Sequence, residues 1–245
     1  MANSLVKQHY DTHLQEFYTW MIGDFENKLQ DQQTFFETNG IVPQRNKIAI
    51  DLGAGHGLQS VALARLGFEV TAIDFNTKLL DELQQNAGDI RIQVAEDDIK
   101  HIKKYAHLSP ELIGCWGDTL AHLESDRALE TLIVDIAFCL KKGGRFLTSF
   151  RDYSKEKTGS QIFIPVKSDE ERLLTCVLNY EPQKVKVTDL LWQREANGWQ
   201  QKVSSYYKIR TSPVLVERLL RNNGFEIQLN TLKNGMCHII AQKIR

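Results

Sequence analysis

Three glycines at alternate positions, Gly53, Gly55 and Gly57, have the spacing that most directly indicates binding chemistry in this chain. They follow a short apolar run at residues 48–52 and precede apolar residues at helical spacing, which predicts a strand, a turn and a helix. Glycine lets the turn adopt positive φ and lets a ligand approach the main chain closely. Because the first turn of the following helix has unpaired N–H groups, we expect this turn to bind a ligand.

Two acids near the turn narrow the class of that ligand. The dinucleotide fingerprint G-x-G-x-x-G places its third glycine one residue later than Gly57, so a nicotinamide-dependent oxidoreductase is a disfavoured alternative. Asp51, at the end of the strand, is badly placed for a pyrophosphate and suits a ligand with an ammonium group. Asp74 ends the next strand, where a carboxylate can accept hydrogen bonds from both ribose hydroxyls of an adenosine. The alternatives are a turn without a ligand and an N-cap at Asp74.

The pattern D-x-G-x-G-x-G, followed by Asp74, resembles the first motif of the class I, Rossmann-like S-adenosylmethionine-dependent methyltransferases. The resemblance implies that the turn holds the amino-acid end of the cofactor. It also implies that Asp98, with Asp97 as backup, accepts from the adenine amino group while Ile99 packs on the ring; helix N-capping is the alternative. The implied cofactor contacts are Tyr18, Asp51, Gly53, Ala54, Gly55, Gly57, Asp74, Phe75, Asp97, Asp98, Ile99, Trp116, Gly117 and His122.

A second resemblance concerns the segment G-D-T-L-A-H-L at residues 117–123. It is similar to the G-N-S-F-A-H-L segment of the glycine and sarcosine N-methyltransferases, and it lacks the N-P-P-aromatic motif of enzymes that methylate exocyclic amines of nucleobases. Asp118 replaces their amide. An acid there can hold a cationic amine or act as a base, which argues against glycine itself as the acceptor. His122 either contacts the cofactor or packs at the start of a helix.

The same N-methyltransferases have an R-N-Y-D segment that matches Arg151 and Tyr153, and their arginine binds the substrate carboxylate. Arginine suits that role because its planar fork grips a carboxylate bidentately; the alternative is a solvent-facing Arg151 paired with Asp152 or a nearby acid. An S-Y-Y stretch at residues 205–207 resembles one whose tyrosines line the active site. We favour Tyr207 over Tyr206 as a catalytic residue beside Asp118, and cross-strand packing is the alternative.

The elements that must position these residues alternate between strand and helix from residue 48 to 151. Such alternation predicts a mostly parallel sheet with helices on both faces and all ligand-binding ends on one edge. The fold class is thus α/β, a seven-stranded Rossmann-like methyltransferase sheet in a single domain at 1–245. The predicted strands are 47–52, 69–74, 90–94, 111–116 and 144–150, and the helices 57–66, 77–87, 99–106 and 124–141.

Three segments extend this core. Residues 1–40 have an apolar helical face rich in aromatics and predict a helical lid, whose Tyr10, Tyr18 or Trp20 either reaches the cofactor or packs on the sheet. Residues 160–210 alternate polar and apolar residues between turn signals and predict an inserted antiparallel sheet over the ligand edge. A helix at 213–222 and a hairpin at 225–229 and 236–242 resemble the end of the methyltransferase fold, where the last strand inserts antiparallel.

Composition limits the partners and the location. The 245 residues carry a formal net charge of -1 and no long basic run, so no nucleic-acid partner is expected. The 4 cysteines lack C-x-x-C spacing and are expected to be reduced thiols, and no metal site is predicted. No apolar run approaches the ~20 residues of a membrane span, so we expect a soluble, cytoplasmic protein without a membrane partner. The oligomeric state is left open.

Together these patterns predict a methyltransferase that uses S-adenosylmethionine and releases S-adenosylhomocysteine. The expected acceptor is a small molecule, an amine that carries a carboxylate, and its nitrogen would attack the sulfonium methyl of the cofactor in line. Arg151 and Tyr153 would bind the substrate, and Asp118 and Tyr207 would be catalytic. The alternative is a protein that binds S-adenosylmethionine without turnover, as a sensor or an assembly subunit.

Overall fold

The structure is a computed structural model that describes residues 4–245, and over this range the strands form two sheets. The larger sheet has the strand order β10-β11-β5-β4-β1-β2-β3, and the smaller one has the order β6-β7-β8-β9. The strands are β1 (Ile48–Leu52), β2 (Glu69–Asp74), β3 (Gln93–Glu96), β4 (Leu112–Cys115), β5 (Arg145–Phe150), β6 (Phe163–Ser168), β7 (Arg172–Tyr180), β8 (Lys184–Glu195), β9 (Gly198–Ile209), β10 (Phe225–Lys233) and β11 (Met236–Lys243).

The larger sheet is parallel from β1 to β5 and antiparallel at β11. Strand β1 pairs in parallel with both β2 and β4, and β4 pairs in parallel with β5. Strand β11 runs antiparallel between β5 and β10. The carboxyl ends of the parallel strands therefore meet on one edge, which is where α/β sheets bind ligands. The predicted seven-stranded, Rossmann-like class is confirmed, including the antiparallel last strand.

Helices cover both faces of this sheet, and an apolar cluster fills the space between the sheet and the helices on each face. One cluster includes Ile133, Ile136 and Phe146, and the other includes Val61, Leu83 and Leu147, all of which are buried. The α-helices are α1 (Ser4–Thr12), α2 (Tyr18–Ile22), α3 (Phe25–Thr38), α4 (Leu58–Arg65), α5 (Thr77–Ala87), α6 (Asp126–Cys139) and α7 (Pro213–Asn222), with 3₁₀ helices at Leu14–Glu16, Ile99–Leu108, Thr119–His122 and Gly159–Ile162. Within the described range, none of these helices is long and apolar enough to cross a membrane.

The smaller sheet and the first two helices form a cover over the ligand edge. One face of the sheet buries Leu178, Val187 and Tyr206 together with Val6 of α1 and Ala121. This arrangement matches the predicted inserted antiparallel sheet and helical lid.

The third strand and the N-terminal helical segment differ from the predictions. The third strand begins at Gln93 rather than at residue 90, and its pairing with β2 starts at Thr71 with Gln93. The apolar helical face expected within residues 1–40 is divided among several helices, because His13 and Phe17 have non-helical dihedral angles.

Candidate active site

A cavity of about 730 Å³ lies at the ligand edge, between the larger sheet and its cover. Its volume falls within the roughly 300–1,000 Å³ range of small-molecule sites. Most of the residues expected at the site line it: Tyr18, Gly53, Ala54, Gly55, Asp74, Phe75, Asp98, Ile99, Trp116, Gly117, Asp118, His122, Arg151 and Tyr153. Four expected residues are absent from its wall, namely Asp51, Gly57, Asp97 and Tyr207.

Two glycines of the glycine-rich turn leave no room for a side chain: Gly53 packs against the turn after β4, and Gly57 packs against α5. Gly53 has φ 70°, and a Cβ there would lie 2.5 Å from Cγ2 of Thr119, so the turn after β4 packs directly on it. A Cβ on Gly57, which has φ 95°, would lie 2.5 Å from Cγ of Leu83 in α5. Gly57 is thus required for helix packing, which corrects its expected role as a cofactor contact.

Asp74 is arranged as a hydrogen-bond acceptor in the cavity wall. The backbone N–H of Gly55 donates to Oδ2 (2.9 Å) and that of Asn76 to Oδ1 (2.9 Å). Burial raises the pKa of Asp74, and the backbone hydrogen bonds from Asn76 and Gly55 oppose this rise. The backbone N–H of Phe75 also bonds to this carboxylate. Because an ionised carboxylate has about four acceptor sites, it keeps capacity for a further donor. The N-cap of α5 is Asn76, whose side chain accepts from the N–H of Leu79, so Asp74 does not serve as that cap.

The two acids after β3 have separate roles. Asp98 is buried, lines the cavity and caps the following 3₁₀ helix by accepting from the N–H of Lys100 at 3.0 Å. Asp97 instead contacts His101 at 2.6 Å and Lys104 at 2.8 Å. Although burial raises it, hydrogen bonds from Lys104 and His101 hold the pKa of Asp97 well below its usual range. In the structure Asp98 thus lines the cavity and Asp97 does not, and a contact of either acid with adenine stays a prediction.

Asp51 lies behind the cavity wall rather than in it. Its carboxylate is buried, and Oδ2 accepts a hydrogen bond from the hydroxyl of Ser60 in α4 at 2.6 Å. Burial raises the pKa of Asp51 to about 7. Asp51 therefore ties β1 to α4, and it is absent from the cavity wall, where a contact with a ligand ammonium was expected.

Asp118 is enclosed by donors. The N–H of Arg151 donates to Oδ1 (2.9 Å), the hydroxyl of Tyr153 donates to Oδ2 (2.8 Å), and Lys208 of β9 forms an ion pair with Oδ2. Burial raises the pKa of Asp118, but Lys208 and the N–H of Arg151 hold it below its ordinary value. Burial lowers the pKa of Lys208, but Asp118 holds it above its ordinary value. A carboxylate held ionised in this way is a weak base, which argues against deprotonation of the amine by Asp118 and favours the expected positioning role.

Lys208 is the site residue that sequence reasoning missed. Its side chain is 9% exposed and lines the cavity from the smaller sheet. The alternation of side chains along a strand was the available signal, because it places Lys208 on the same face as Tyr206, two residues earlier. A lysine on a buried face is rarely without an acidic partner. Lys208 also explains why an acid occupies position 118, where the resembling enzymes have an amide.

The two tyrosines of the S-Y-Y stretch point to opposite faces of β9. Tyr206 is buried, lines the cavity and stacks on His122 with ring centroids 5.4 Å apart. Tyr207 lies on the outer face, where Nζ of Lys184 is 5.9 Å from its ring. Because side chains alternate along a strand, the cavity takes the alternative, Tyr206, and this corrects the choice of Tyr207.

Arg151 lies at the rim of the cavity with an exposed side chain. Among the contacts described for residues 4–245, its guanidinium has no hydrogen-bond or ion-pair partner. Asp152, the neighbouring acid considered as a partner, instead accepts from the N–H of Ser154 at 3.0 Å. The guanidinium of Arg151 is therefore available to an anionic group.

The helical cover brings two of its three candidate aromatics to the cavity. Tyr10 and Tyr18 line it, whereas Trp20 packs outside, under Arg172 at 5.1 Å. Helix α1 is held on one side by a hydrogen bond from Asn76 to Asp11 (2.9 Å). It is held on the other side by His9, whose Nδ1 lies 2.8 Å from Oγ of Ser204.

Comparisons with known proteins bear on this arrangement. Residues 49–144 match a family model described as a methyltransferase domain. Over 134 residues, the chain is 25% identical to a glycine/sarcosine/dimethylglycine N-methyltransferase of Actinopolyspora halophila. That match covers 53% of this chain and 23% of the relative, so the chain spans about a quarter of the length of this curated relative.

Solved structures share the fold. An S-adenosylmethionine-dependent methyltransferase from Clostridium acetobutylicum ATCC 824 superposes with a TM-score of 0.72 at 15% identity, covering 98% of both chains. A sugar N-methyltransferase, KedS8, from Streptoalloteichus sp ATCC 53650 has a TM-score of 0.72 at 11% identity and covers 94% of this chain and 92% of its own. Residues 49–144 thus match a methyltransferase domain, and the solved structures confirm the predicted Rossmann-like fold.

Proposed function

Taking residues 49–144 as a methyltransferase domain, we propose that this chain is an S-adenosylmethionine-dependent methyltransferase that acts on a small amine carrying a carboxylate. The observation that carries the proposal is the acceptor capacity that remains on the carboxylate of Asp74, in the wall of a cavity that also contains the glycine-rich turn.

The wall residues fit this cofactor. Gly53, Ala54 and Gly55 offer main-chain contact for its amino-acid end, and Asp74 can accept from the ribose hydroxyls. Asp98 and Ile99 line the adenine side. When bound, S-adenosylmethionine supplies an electrophilic methyl group and a neutral thioether leaving group.

The part of the cavity wall expected to bind the methyl acceptor suits a substrate with an anionic group and an apolar body. Arg151 offers a free guanidinium at the rim, and a guanidinium binds carboxylates bidentately. Deeper in the pocket the wall includes Leu178, Val187 and Tyr206, which suit an apolar body. The curated relative methylates glycine, sarcosine and dimethylglycine by its description, and this is consistent with an amine and a carboxylate in one molecule.

The chain contributes mainly orientation to the reaction. In-line displacement requires the nucleophile to be held near 3–3.5 Å with aligned orbitals, and such positioning can supply about 7–11 kcal/mol of the barrier. Arg151 would orient the carboxylate, Tyr206 would shape the path of the amine, and the cover formed by α1 and the smaller sheet would exclude water. Because Asp118 is paired with Lys208, we assign it no role in removing the proton from the amine, which must be neutral when it attacks.

The deciding experiment is calorimetric titration of the purified protein with S-adenosylhomocysteine, with NAD as the control. We expect micromolar binding of S-adenosylhomocysteine alone, followed by methyl transfer in a screen of amines with carboxylates. Absence of binding would refute the proposal. Binding without transfer to any amine, alcohol, thiol or acid would instead favour a sensor or assembly subunit.

A further inference from the structure

The buried ion pair between Lys208 and Asp118 joins the two sheets across the cavity. Lys208 belongs to β9 of the smaller sheet, and Asp118 follows β4 of the larger sheet, 90 residues earlier in the chain. Their side chains are only 9% and 7% exposed. Lys208 also donates to the hydroxyl oxygen of Tyr153 at 3.1 Å. Because breaking a buried pair leaves an uncompensated charge, both partners depend on the contact between the sheets.

Asp118 lies in a turn whose backbone is held in an unfavourable conformation. Gly117 has φ 67° and Asp118 has φ 74°, the left-handed region, which a residue other than glycine occupies at a cost. Ser149 of β5 supports this turn. Its hydroxyl oxygen accepts the N–H of Gly117 and its carbonyl accepts the N–H of Asp118, each at 3.0 Å. Three donors on the Asp118 carboxylate complete the support.

The same turn packs against the glycine-rich turn, where the cofactor is expected. Thr119 follows Asp118, and its Cγ2 lies 2.5 Å from where a Cβ of Gly53 would be. The hydroxyl of Thr119 is fixed by donation to the carbonyl of Trp116 at 2.6 Å. A shift of Asp118 would therefore carry Thr119 against or away from the glycine-rich turn.

We propose that Lys208 is a positioning residue for the reaction. Its ion pair with Asp118 couples the position of the smaller sheet to the conformation of the turn after β4, which lies beside the expected cofactor. This inference rests on the proposed methyltransferase function. Lys208 acts here through Asp118, and its own ammonium is committed to Asp118 and Tyr153. The other groups facing the pair are the rings of Tyr206 and His122 and the charge of Arg151.

The test is a double-mutant cycle with Asp118→Asn, Lys208→Gln and the double variant, measured by the affinity for S-adenosylhomocysteine and by turnover. Each single variant is expected to lose about tenfold to hundredfold in turnover, as small misplacements at a site do, and at least about fivefold in affinity. The double variant is expected to be no worse than the worse single one, because it removes both buried charges together. Lys208→Arg should restore part of the loss.

The matched control is Lys202→Gln, which removes an exposed ion pair with Glu16 (3.0 Å) from the same strand.

The outcomes separate the inference from the function on which it rests. If the unaltered protein binds no S-adenosylhomocysteine, both fall together. If it binds but Lys208→Gln changes only the stability to urea, Lys208 is merely structural and the positioning role is overturned. Additive losses in the double variant, concentrated in the KM of the acceptor, would also overturn it, because they would mean that Lys208 contacts the substrate directly.

Discussion

The backbone N–H of Gly55 donates to Oδ2 of Asp74 across 2.9 Å, and this hydrogen bond joins the glycine-rich turn after β1 to the acid that ends β2. The two features that identified the site in the sequence are thus one structural unit. The remaining acceptor capacity of the carboxylate points to its expected ligand, the ribose of the cofactor.

Asp74→Ala is predicted to weaken binding of S-adenosylhomocysteine by roughly 2–4 kcal/mol, since hydrogen bonds to charged groups contribute about 1.5–3 kcal/mol each. Calorimetry measures the loss. Asp97→Ala is the matched control, because that acid lies close in sequence but outside the cavity wall. Equal affinities for the unaltered protein and Asp74→Ala would remove the ribose assignment.

Tyr206→Phe and Tyr207→Phe form a pair of neighbouring variants that tests the orientation of β9. Removal of the hydroxyl at Tyr206, which lines the cavity, is predicted to lower kcat/KM by the equivalent of about 0.5–1.5 kcal/mol, the value of one hydrogen bond. The same change at Tyr207, on the outer face, should have little effect. A larger loss from Tyr207→Phe would show that the inward face of the strand has been assigned wrongly.

These tyrosines also show where prediction from sequence ended. The central strands, their glycine stops and Asp74 were predictable because apolar runs and turn residues are local signals. The choice between Tyr206 and Tyr207 depends on which face of the inserted sheet meets the larger one, and a shift of one residue reverses it. The partner of Asp118 was equally hidden, because Lys208 reaches it only after the two sheets pack.

Arg151→Ala is predicted to raise the KM for an acceptor with a carboxylate by about tenfold to hundredfold, since a charged hydrogen-bonded pair contributes about 1.5–3 kcal/mol. The affinity for S-adenosylhomocysteine should remain nearly unchanged. Steady-state kinetics and calorimetry measure the two effects, and Arg218→Ala, an exposed arginine of α7, is the control. A matched loss in cofactor affinity would move Arg151 to the cofactor side.

The rate of methyl transfer is predicted to fall as the pH decreases, because an amine must lose its proton before it can attack and the ionised Asp118 does not remove it. A pH profile of kcat/KM measures this dependence, and its inflection should follow the pKa of the amine when acceptors are changed. A flat profile between about pH 6 and 9 would count against an amine acceptor.

Asp51 provides a prediction about stability. Burial raises its pKa to about 7 in the folded protein, from an ordinary value of 3.8. Between these values the folded state binds more protons than the unfolded state, so ionisation of Asp51 reduces the free energy of unfolding as the pH rises.

Asp51→Asn removes that ionisation and retains an acceptor for the hydroxyl of Ser60. Relative to the unaltered protein, the variant is therefore predicted to gain stability steadily from about pH 4 to 7, by a few kcal/mol in total, and to keep that gain above pH 7. Urea unfolding at several pH values measures the difference between the two proteins. A difference that stays constant across this range would show that Asp51 is ionised throughout, and that the hydrogen bonds from Ser60 outweigh the effect of burial on its pKa.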